Sequence, residues 1–256
     1  MDPKIGPVRP LFVLFGSSIV QLSYYFEGWG ATLTGLYARK ADISMRGYIG
    51  WNTRNALKVL STVFPQNDKI QPSLVILYFG GNDSTDLDVP GSPGVPIDEY
   101  VENMRQIILY IKGLTLNTRI IMLSAPAVNE QQIIDYYGSN LGRTNERGHK
   151  YSEAGIRLAQ QLKVEVIDFW SALQEPCDWR NTVFWDGMHL TKEGSEILFN
   201  KITEVIKETD WEPSLDWDKM PDEFSDIGRN SFYLEKLMKG INKMAGIPNS
   251  RELKSE

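Results

Sequence analysis

Cysteine and histidine are scarce in this chain of 256 residues, which contains one cysteine and two histidines. A lone cysteine, Cys177, excludes an intrachain disulfide and does not make a zinc site. Cys177 lies in a polar stretch with no strand leading into it, which favours a structural thiol over a nucleophile. The low cysteine count and the absence of a recognisable secretory signal predict a reducing, cytoplasmic location.

Long apolar runs and an excess of basic residues are also missing. No run approaches the ~20 apolar residues of a membrane-spanning helix, so we expect no membrane span. The formal net charge is -6, with 27 Lys and Arg against 33 Asp and Glu, and no basic block occurs. This charge pattern argues against nucleic acid as a partner, because phosphate binding needs clustered Lys and Arg.

Short apolar runs do occur, and they alternate with segments of helical periodicity. The runs lack strict polar alternation, which is typical of parallel strands covered on both faces. Strands that alternate with amphipathic helices predict an α/β fold, a three-layer α/β/α sandwich. The five runs are Leu11–Phe15, Ile43–Tyr48, Leu74–Phe79, Arg119–Ser124 and Val164–Phe169.

The last part of the chain has a different character. We predict a catalytic domain over residues 1–209 and a C-terminal extension over 210–256. The extension starts with an irregular segment rich in Trp and Pro, and an amphipathic helix is predicted around Phe232 to Ala245. Wrapping around the core is favoured over a partner-binding arm, and Pro248 to Glu256 is expected to be disordered.

Small and polar residues follow the first three predicted strands. They form the segments Gly16-Ser17-Ser18, Arg46–Trp51 and Gly80-Gly81-Asn82-Asp83. In an open parallel sheet, ligands bind outside the carboxyl ends of the strands, so these segments should meet at one edge. Asp186-Gly187-Met188-His189, in the loop before the last predicted helix of the core, can join them.

The Asp186-x-x-His189 spacing can place a carboxylate beside an imidazole and so orient a general base. The competing histidine, His149, is predicted to lie on a solvated helix surface. Ser18 is the candidate nucleophile, because its hydroxyl would lie at the ligand edge and its N–H can face a developing oxyanion. Taken alone, a serine at such a turn is more often a helix cap.

Gly50 and Asn82 are candidate oxyanion donors. Glycine lets the backbone approach a ligand closely, and Asn82 offers a side-chain amide. Both residue types are also the usual residues of turns, so each assignment is weak by itself.

Together these blocks resemble the SGNH hydrolases, the GDSL esterase/lipase superfamily. Ser18 lies in Phe15-Gly16-Ser17-Ser18-Ile19, Gly50 in the second block and Asn82 in Phe79-Gly80-Gly81-Asn82-Asp83. Asp186 and His189 match the last block, and the resemblance covers about residues 8–210. The sequences of these blocks are most similar to those of the isoamyl acetate-hydrolysing esterase-like branch, especially its plant members.

The resemblance implies a flavodoxin-like fold with a five-stranded parallel sheet. It implies hydrolysis of small-molecule, short-chain esters through an acyl-serine intermediate, with no metal and no organic cofactor. Ser18 would attack, His189 would transfer the proton and Asp186 would hold the ring. The N–H groups of Ser18 and Gly50 and the Asn82 amide would bind the oxyanion.

One position departs from the family pattern. The Gly-Asp-Ser of the first block is Gly16-Ser17-Ser18 here, so a neutral hydroxyl replaces a carboxylate. The residues alone leave open whether Ser17 or Ser18 attacks, and the family register selects Ser18.

Aromatic and acidic residues near these blocks allow two further interpretations. Trp51 and Trp185 adjoin Gly50 and Asp186 and are predicted to bind substrate, with Trp29 as a further candidate for the wall of an apolar pocket; simple packing is the alternative. The acidic stretch that contains Asp83, Asp86 and Asp88 is interpreted as a solvated loop, since no EF-hand pattern follows.

Other functions remain open at this stage. A carbohydrate O-deacetylase would use the same triad. A phosphate- or flavin-binding module would use the Gly16-Ser17-Ser18 turn as an anion site, but it leaves Asp186 and His189 unexplained. A non-catalytic interaction protein is the third alternative. It is retained because Ser17 replaces the aspartate of the family pattern.

Overall fold

Five strands form one parallel sheet in the order β2-β1-β3-β4-β5. The computed structural model describes residues 9–224, 236, 237 and 240. This strand order is flavodoxin-like, and each of the five apolar runs forms a strand, as predicted. The strands are β1 (Leu11–Gly16), β2 (Asp42–Gly47), β3 (Pro72–Tyr78), β4 (Arg119–Leu123) and β5 (Glu165–Ile167).

Helices cover both faces of this sheet. One face packs against α1, α2, α7, α8 and α9, and the other packs against α3, α4 and α6, which confirms the three-layer sandwich. The helices are α1 (Ser18–Gln21), α2 (Trp29–Leu36), α3 (Thr53–Val63), α4 (Ile97–Lys112), α5 (Glu130–Tyr137), α6 (Asn145–Leu162), α7 (Phe169–Ala172), α8 (Trp179–Thr182) and α9 (Lys192–Glu208), with a 3-10 turn at Leu22–Tyr24.

The apolar runs are continuous because both faces of each central strand are buried. In β1, Phe12 and Leu14 belong to one core, and Val13 and Phe15 belong to the other. Neighbouring residues of a strand point to opposite faces, so every position of the run needs an apolar side chain. The two cores hold the strand ends, and the polar turns that follow them, in fixed positions.

Side-chain caps fix the starts of the helices that flank the candidate site. Thr191 caps α9, and its Oγ1 accepts a hydrogen bond from the Gly194 N–H at 3.1 Å. Asn52 caps α3 through a reciprocal pair of hydrogen bonds with Asn55. Losing such a cap costs about 1 kcal/mol. The two caps therefore define where the loops that carry Gly50 and His189 end.

Residues 211–224 pack against the core that contains Phe12 and Leu14. Leu215 and Met220 are buried there. The Tyr37 hydroxyl donates to the Leu215 carbonyl at 2.8 Å, and Lys40 Nζ donates to the Met220 carbonyl at 2.7 Å. The helix predicted around Phe232 to Ala245 and the predicted disorder of Pro248 to Glu256 lie outside the described residues, apart from residues 236, 237 and 240. The boundary at 209/210 stays a prediction.

Among the described residues, no helix is both long enough and apolar enough to cross a bilayer.

Candidate active site

The turn from β1 into α1 presents Ser18 at the carboxyl edge of the sheet. Glycine is required before it, because a Cβ on Gly16 would lie 2.4 Å from the Tyr78 carbonyl oxygen. Ser18 is the first residue of α1 and is partly exposed, whereas Ser17 is buried and contacts the buried Tyr78 hydroxyl. The local geometry therefore makes Ser18 the more accessible of the two hydroxyls.

Asp186 and His189 are in direct contact. Asp186 Oδ2 lies 2.6 Å from His189 Nδ1, and the Asp186 side chain has no exposed surface. Asp186 Oδ1 also accepts hydrogen bonds from the His189 N–H at 2.8 Å and the Met188 N–H at 3.0 Å. With Nδ1 donating to a carboxylate, Nε2 is left as the proton acceptor, which is the tautomer a general base needs.

A tight loop holds this pair in place. Phe184 and Leu190 form an antiparallel bridge, and the Trp185 N–H donates to the His189 carbonyl at 3.1 Å. Gly187 has a φ of +91°, and a Cβ there would lie 2.6 Å from the Asn129 carbonyl oxygen. Both constraints demand glycine, so the Asp-Gly-Met-His segment can adopt this compact turn beside α5.

Tyr137, at the end of α5, supplies a further hydrogen bond. Its hydroxyl donates to Asp186 Oδ2 at 2.7 Å. Burial alone would raise the pKa of Asp186, but hydrogen bonds and charge from His189, with the Tyr137 hydroxyl, lower that pKa below its ordinary value. Burial and the bond to Asp186 raise the pKa of Tyr137, so the hydroxyl stays a donor. Asp186 is thus held as a carboxylate.

Gly50 lies in the turn after β2 with a φ of +80°. The neighbouring N–H groups are occupied, since Ile49 donates to Gln21 Oε1 at 2.8 Å and Trp51 donates to the Tyr48 carbonyl at 3.2 Å. The Gly50 N–H has no hydrogen-bond partner among the described residues. This N–H is available to an oxyanion.

Asn82, in the turn after β3, is held at both ends of its amide. Nδ2 donates to the Trp51 carbonyl at 2.7 Å, and Oδ1 accepts from Arg143 Nη2 at 2.7 Å. A flipped amide would place donor against donor and acceptor against acceptor, so the observed orientation is fixed. One hydrogen on Nδ2 remains for a ligand.

Asp83 is not part of a solvated loop, and that interpretation is wrong for this residue. Its side chain is buried and accepts hydrogen bonds from the Thr53 N–H at 2.9 Å, Thr53 Oγ1 at 2.5 Å and the Gly80 N–H at 3.1 Å. Burial raises the pKa of Asp83 to about 6 despite these bonds. Asp83 therefore ties the Asn82 turn to the start of α3.

Ser18, Gly50, Asn82 and His189 line one cleft, with a volume of about 130 Å³. The structure thus brings together all five residues predicted for catalysis and oxyanion binding, with Asp186 behind His189. Among the described residues, no hydrogen bond joins Ser18 to His189. Such catalytic bonds are often long before substrate binds. Further lining residues include Ile49, Pro126, Val128, Arg143, Thr144 and Met188.

The three tryptophans predicted to line a pocket or bind substrate lie in three different environments. Trp29 is buried, and its Nε1 donates to the Ile19 carbonyl, so it is a core residue and not a pocket wall. Trp51 stacks on Tyr48 with ring centroids 4.1 Å apart. Trp185 is 38% exposed and stacks on His189 at 5.4 Å. Neither Trp51 nor Trp185 lines the cleft itself, and their predicted role in substrate binding stays a prediction.

Two other candidate residues lie on the surface. His149 is exposed on α6, 3.9 Å from Glu153, and Cys177 is exposed. Over the described part of the chain, no group of His, Cys, Asp and Glu side chains is arranged to hold a metal ion.

Sequence reasoning missed Tyr137, Arg143 and the structural role of Asp83. Tyr137 and Arg143 reach the site from segments 49 and 61 positions away from their partners. No spacing rule reveals contacts of that kind. Only the role of Asp83 had a signal in the sequence. Asp83 directly follows Asn82, so its carboxylate could have been considered as a buried hydrogen-bond acceptor that supports the Asn82 turn.

The family profile described as GDSL-like Lipase/Acylhydrolase matches residues 14–197 of the chain. The chain belongs to this family. The match includes every residue of the site described above. The predicted resemblance to the SGNH hydrolases is thereby confirmed.

Named relatives agree with this assignment. The rice GDSL esterase/lipase WDL1 (Oryza sativa subsp. japonica) is 49% identical over 225 residues, which cover 86% of each chain. The human isoamyl acetate-hydrolyzing esterase 1 homolog is 33% identical over 205 residues, covering 77% of this chain and 82% of the relative. On these relationships the protein is a carboxylic ester hydrolase of the GDSL family.

Solved structures share the fold at low sequence identity. The lipase/acylhydrolase from Enterococcus faecalis superposes with a TM-score of 0.62 at 21% identity, over 77% of this chain and 95% of that one. The acetyl xylan esterase AlAXEase gives a TM-score of 0.62 at 16% identity, over 77% and 99%. These neighbours establish the α/β architecture.

Proposed function

We propose that this GDSL-family hydrolase cleaves short-chain, acetyl-type esters through an acyl-serine intermediate on Ser18. The observation that carries the proposal is the 2.6 Å contact between Asp186 Oδ2 and His189 Nδ1 on the same cleft as Ser18. His189 Nε2 removes the Ser18 proton as Oγ bonds to the ester carbonyl carbon. The proton then passes to the leaving alcohol.

The oxyanion of each tetrahedral intermediate is bound by three uncharged donors. They are the N–H groups of Ser18 and Gly50 and the second Nδ2 hydrogen of Asn82. Such preorganised donors stabilise charge that exists only near the transition state, so they raise kcat and leave ground-state binding nearly unchanged. Water next attacks the acyl-serine with His189 as the base, and the carboxylic acid leaves.

The size of the cleft supports a short acyl group. Its volume of about 130 Å³ lies below the ~300–1,000 Å³ usual for pockets that enclose a drug-sized ligand. An acetyl group fits this space, and a long acyl chain would have to leave the cleft. We therefore expect kcat/KM to fall as the acyl chain lengthens.

Removal of acetyl groups from carbohydrates is a second candidate. Trp185, which stacks on His189, is 38% exposed, and Tyr136 is 58% exposed with its ring centroid 5.6 Å from that of Trp185. Since His189 is proposed to protonate the leaving alcohol, we propose that these rings contact the alcohol part of the ester. Exposed aromatic faces suit the apolar faces of sugar rings, and the acetyl xylan esterase AlAXEase shares the fold.

The test uses p-nitrophenyl acetate, butyrate and octanoate with wild type, Ser18→Ala and Ser17→Ala. We expect Ser18→Ala to lose turnover and Ser17→Ala to retain most of it, because Ser18 is the more accessible of the two hydroxyls. The wild type should prefer acetate. Equal turnover by all three proteins would refute the mechanism. Acetylated xylo-oligosaccharides, assayed by acetate release, decide between the two substrate classes.

A further inference from the structure

Arg143 lies behind the candidate oxyanion donors, on the segment that leads into α6. Nη2 donates to Asn82 Oδ1 at 2.7 Å, and Nη1 donates to the Gly81 carbonyl at 2.5 Å. One planar guanidinium therefore holds both the side chain and the backbone of the turn that presents Asn82. This span needs the fork geometry of arginine, which lysine cannot reproduce.

The local chain is built to deliver Arg143 to this position. Gly142 has a φ of +70°, its carbonyl accepts a hydrogen bond from the Asp86 N–H at 2.8 Å, and its N–H donates to Asn140 Oδ1 at 3.1 Å. Thr144 then caps α6. Arg143 is thus fixed between a glycine turn and a helix start, next to the cleft that it lines.

A second observation is the Nε atom of Arg143, which is buried and has no hydrogen-bond partner among the described residues. Leaving a buried donor unpaired carries a free-energy cost, because the group loses its hydrogen bonds to water. A side chain that served only to stabilise the fold would be poorly chosen at this position. The cost is consistent with a role in the site.

We propose that Arg143 is the positioning residue of the oxyanion hole, acting through the Asn82 amide. The inference rests on the proposed function. Arg143 and the Trp51 carbonyl fix the two ends of the amide, so the remaining Nδ2 hydrogen has a single direction. The cation also polarises the amide, since hydrogen bonds in series strengthen one another, and Nδ2 becomes a stronger donor to the oxyanion.

Arg147 provides a matched control on the same face of the molecule. Its Nε and Nη2 donate to the carbonyls of Ser84 and Thr85, at 2.9 and 3.2 Å, in the same loop. Arg147 does not contact Asn82 and does not line the cleft. Arg147→Ala therefore removes a guanidinium and two carbonyl contacts from that loop without touching the amide.

The experiment measures kcat and KM for p-nitrophenyl acetate with Arg143→Ala, Arg143→Lys, Arg147→Ala, Asn82→Ala and the double variant Asn82→Ala/Arg143→Ala. We expect Arg143→Ala to lose roughly 10- to 100-fold in kcat with little change in KM. Arg143→Lys should recover little, and Arg147→Ala should retain most of the turnover. The double variant should be no slower than Asn82→Ala alone, because Arg143 acts through that amide.

Added guanidinium, far below the concentrations that unfold proteins, should partly restore kcat in Arg143→Ala but not in the double variant. The inference is overturned if Arg143→Ala loses no more kcat than Arg147→Ala, or if the two single losses multiply in the double variant. If the melting temperature shows that Arg143→Ala does not fold, Arg143→Lys replaces it in the comparison. The inference is then overturned if Arg143→Lys loses no more kcat than Arg147→Ala. Activity that survives Ser18→Ala would instead remove the proposed mechanism itself.

Discussion

The carboxylate of Asp186 lies 2.6 Å from Nδ1 of His189, inside a loop closed by the bridge between Phe184 and Leu190. The same carboxylate accepts the Tyr137 hydroxyl. The side chain of Asp186 therefore fixes the ring, its tautomer and the loop that carries it. These contacts explain why the pair occurs as Asp-x-x-His with a glycine between its members.

Asp186→Asn tests the role of the carboxylate in catalysis. An amide would face Nδ1 of His189 with a donor, so the ring would adopt the other tautomer and Nε2 would no longer accept the Ser18 proton. We expect kcat to fall by about 10³- to 10⁴-fold, with the ring still in place. Steady-state kinetics with p-nitrophenyl acetate checks this. A loss below tenfold would show that Asp186 does not set the tautomer.

The stability of the same variant should depend on pH. The pKa of Asp186 is lowered in the folded state, so its contribution to stability is present at neutral pH and is lost as pH falls below about 4. The gap in unfolding free energy between wild type and Asp186→Asn should therefore shrink in acid. Denaturant titrations at pH 7 and pH 3.5 measure it, and a constant gap would contradict the assignment.

Asp83 should show the opposite dependence. Its folded pKa is raised to about 6, so the stability linked to its protonation is complete below about pH 4 and is lost as pH rises through 6. Relative to Asp83→Asn, the wild type should be more stable at pH 5 than at pH 8, by on the order of 1–2 kcal/mol. Urea unfolding at the two pH values tests the sign. A larger relative stability at pH 8 would refute it.

Trp185→Ala tests the predicted substrate contact. The exposed ring stacks on His189, the proposed proton donor to the alcohol, so its loss should raise KM for esters of large alcohols more than for ethyl acetate. Trp51→Ala is the comparison, since that ring stacks on Tyr48 instead. A uniform fall in kcat for all esters would mean that Trp185 supports the His189 ring and does not bind the alcohol.

Much of the fold followed from the sequence because it depends on local periodicity. Continuous apolar runs identified all five strands. The rule that parallel strands end at one edge then brought Ser18, Gly50 and Asn82 together. These inferences needed no knowledge of side-chain contacts.

The supporting residues of the site could not be predicted in the same way. Arg143 and Tyr137 act across 61 and 49 positions, and such contacts depend on how α5 and α6 pack. Asp83 was interpreted as solvated because acidic residues in turns usually are. In the structure its carboxylate is buried and accepts hydrogen bonds from the N–H and the hydroxyl of Thr53. Trp29 was considered for the pocket from its position alone, and core packing decided otherwise.

The most direct test of the acyl-serine mechanism is covalent labelling with diethyl p-nitrophenyl phosphate. Ser18 Oγ would bond to phosphorus as p-nitrophenolate leaves, and the His189 ring would take the Ser18 proton. The account predicts one diethylphosphoryl group per chain, mapped to Ser18 by peptide mass spectrometry, with ester hydrolysis lost in proportion to labelling. Full hydrolysis by a fully labelled protein, or a label on Ser17 that abolishes turnover, would contradict it.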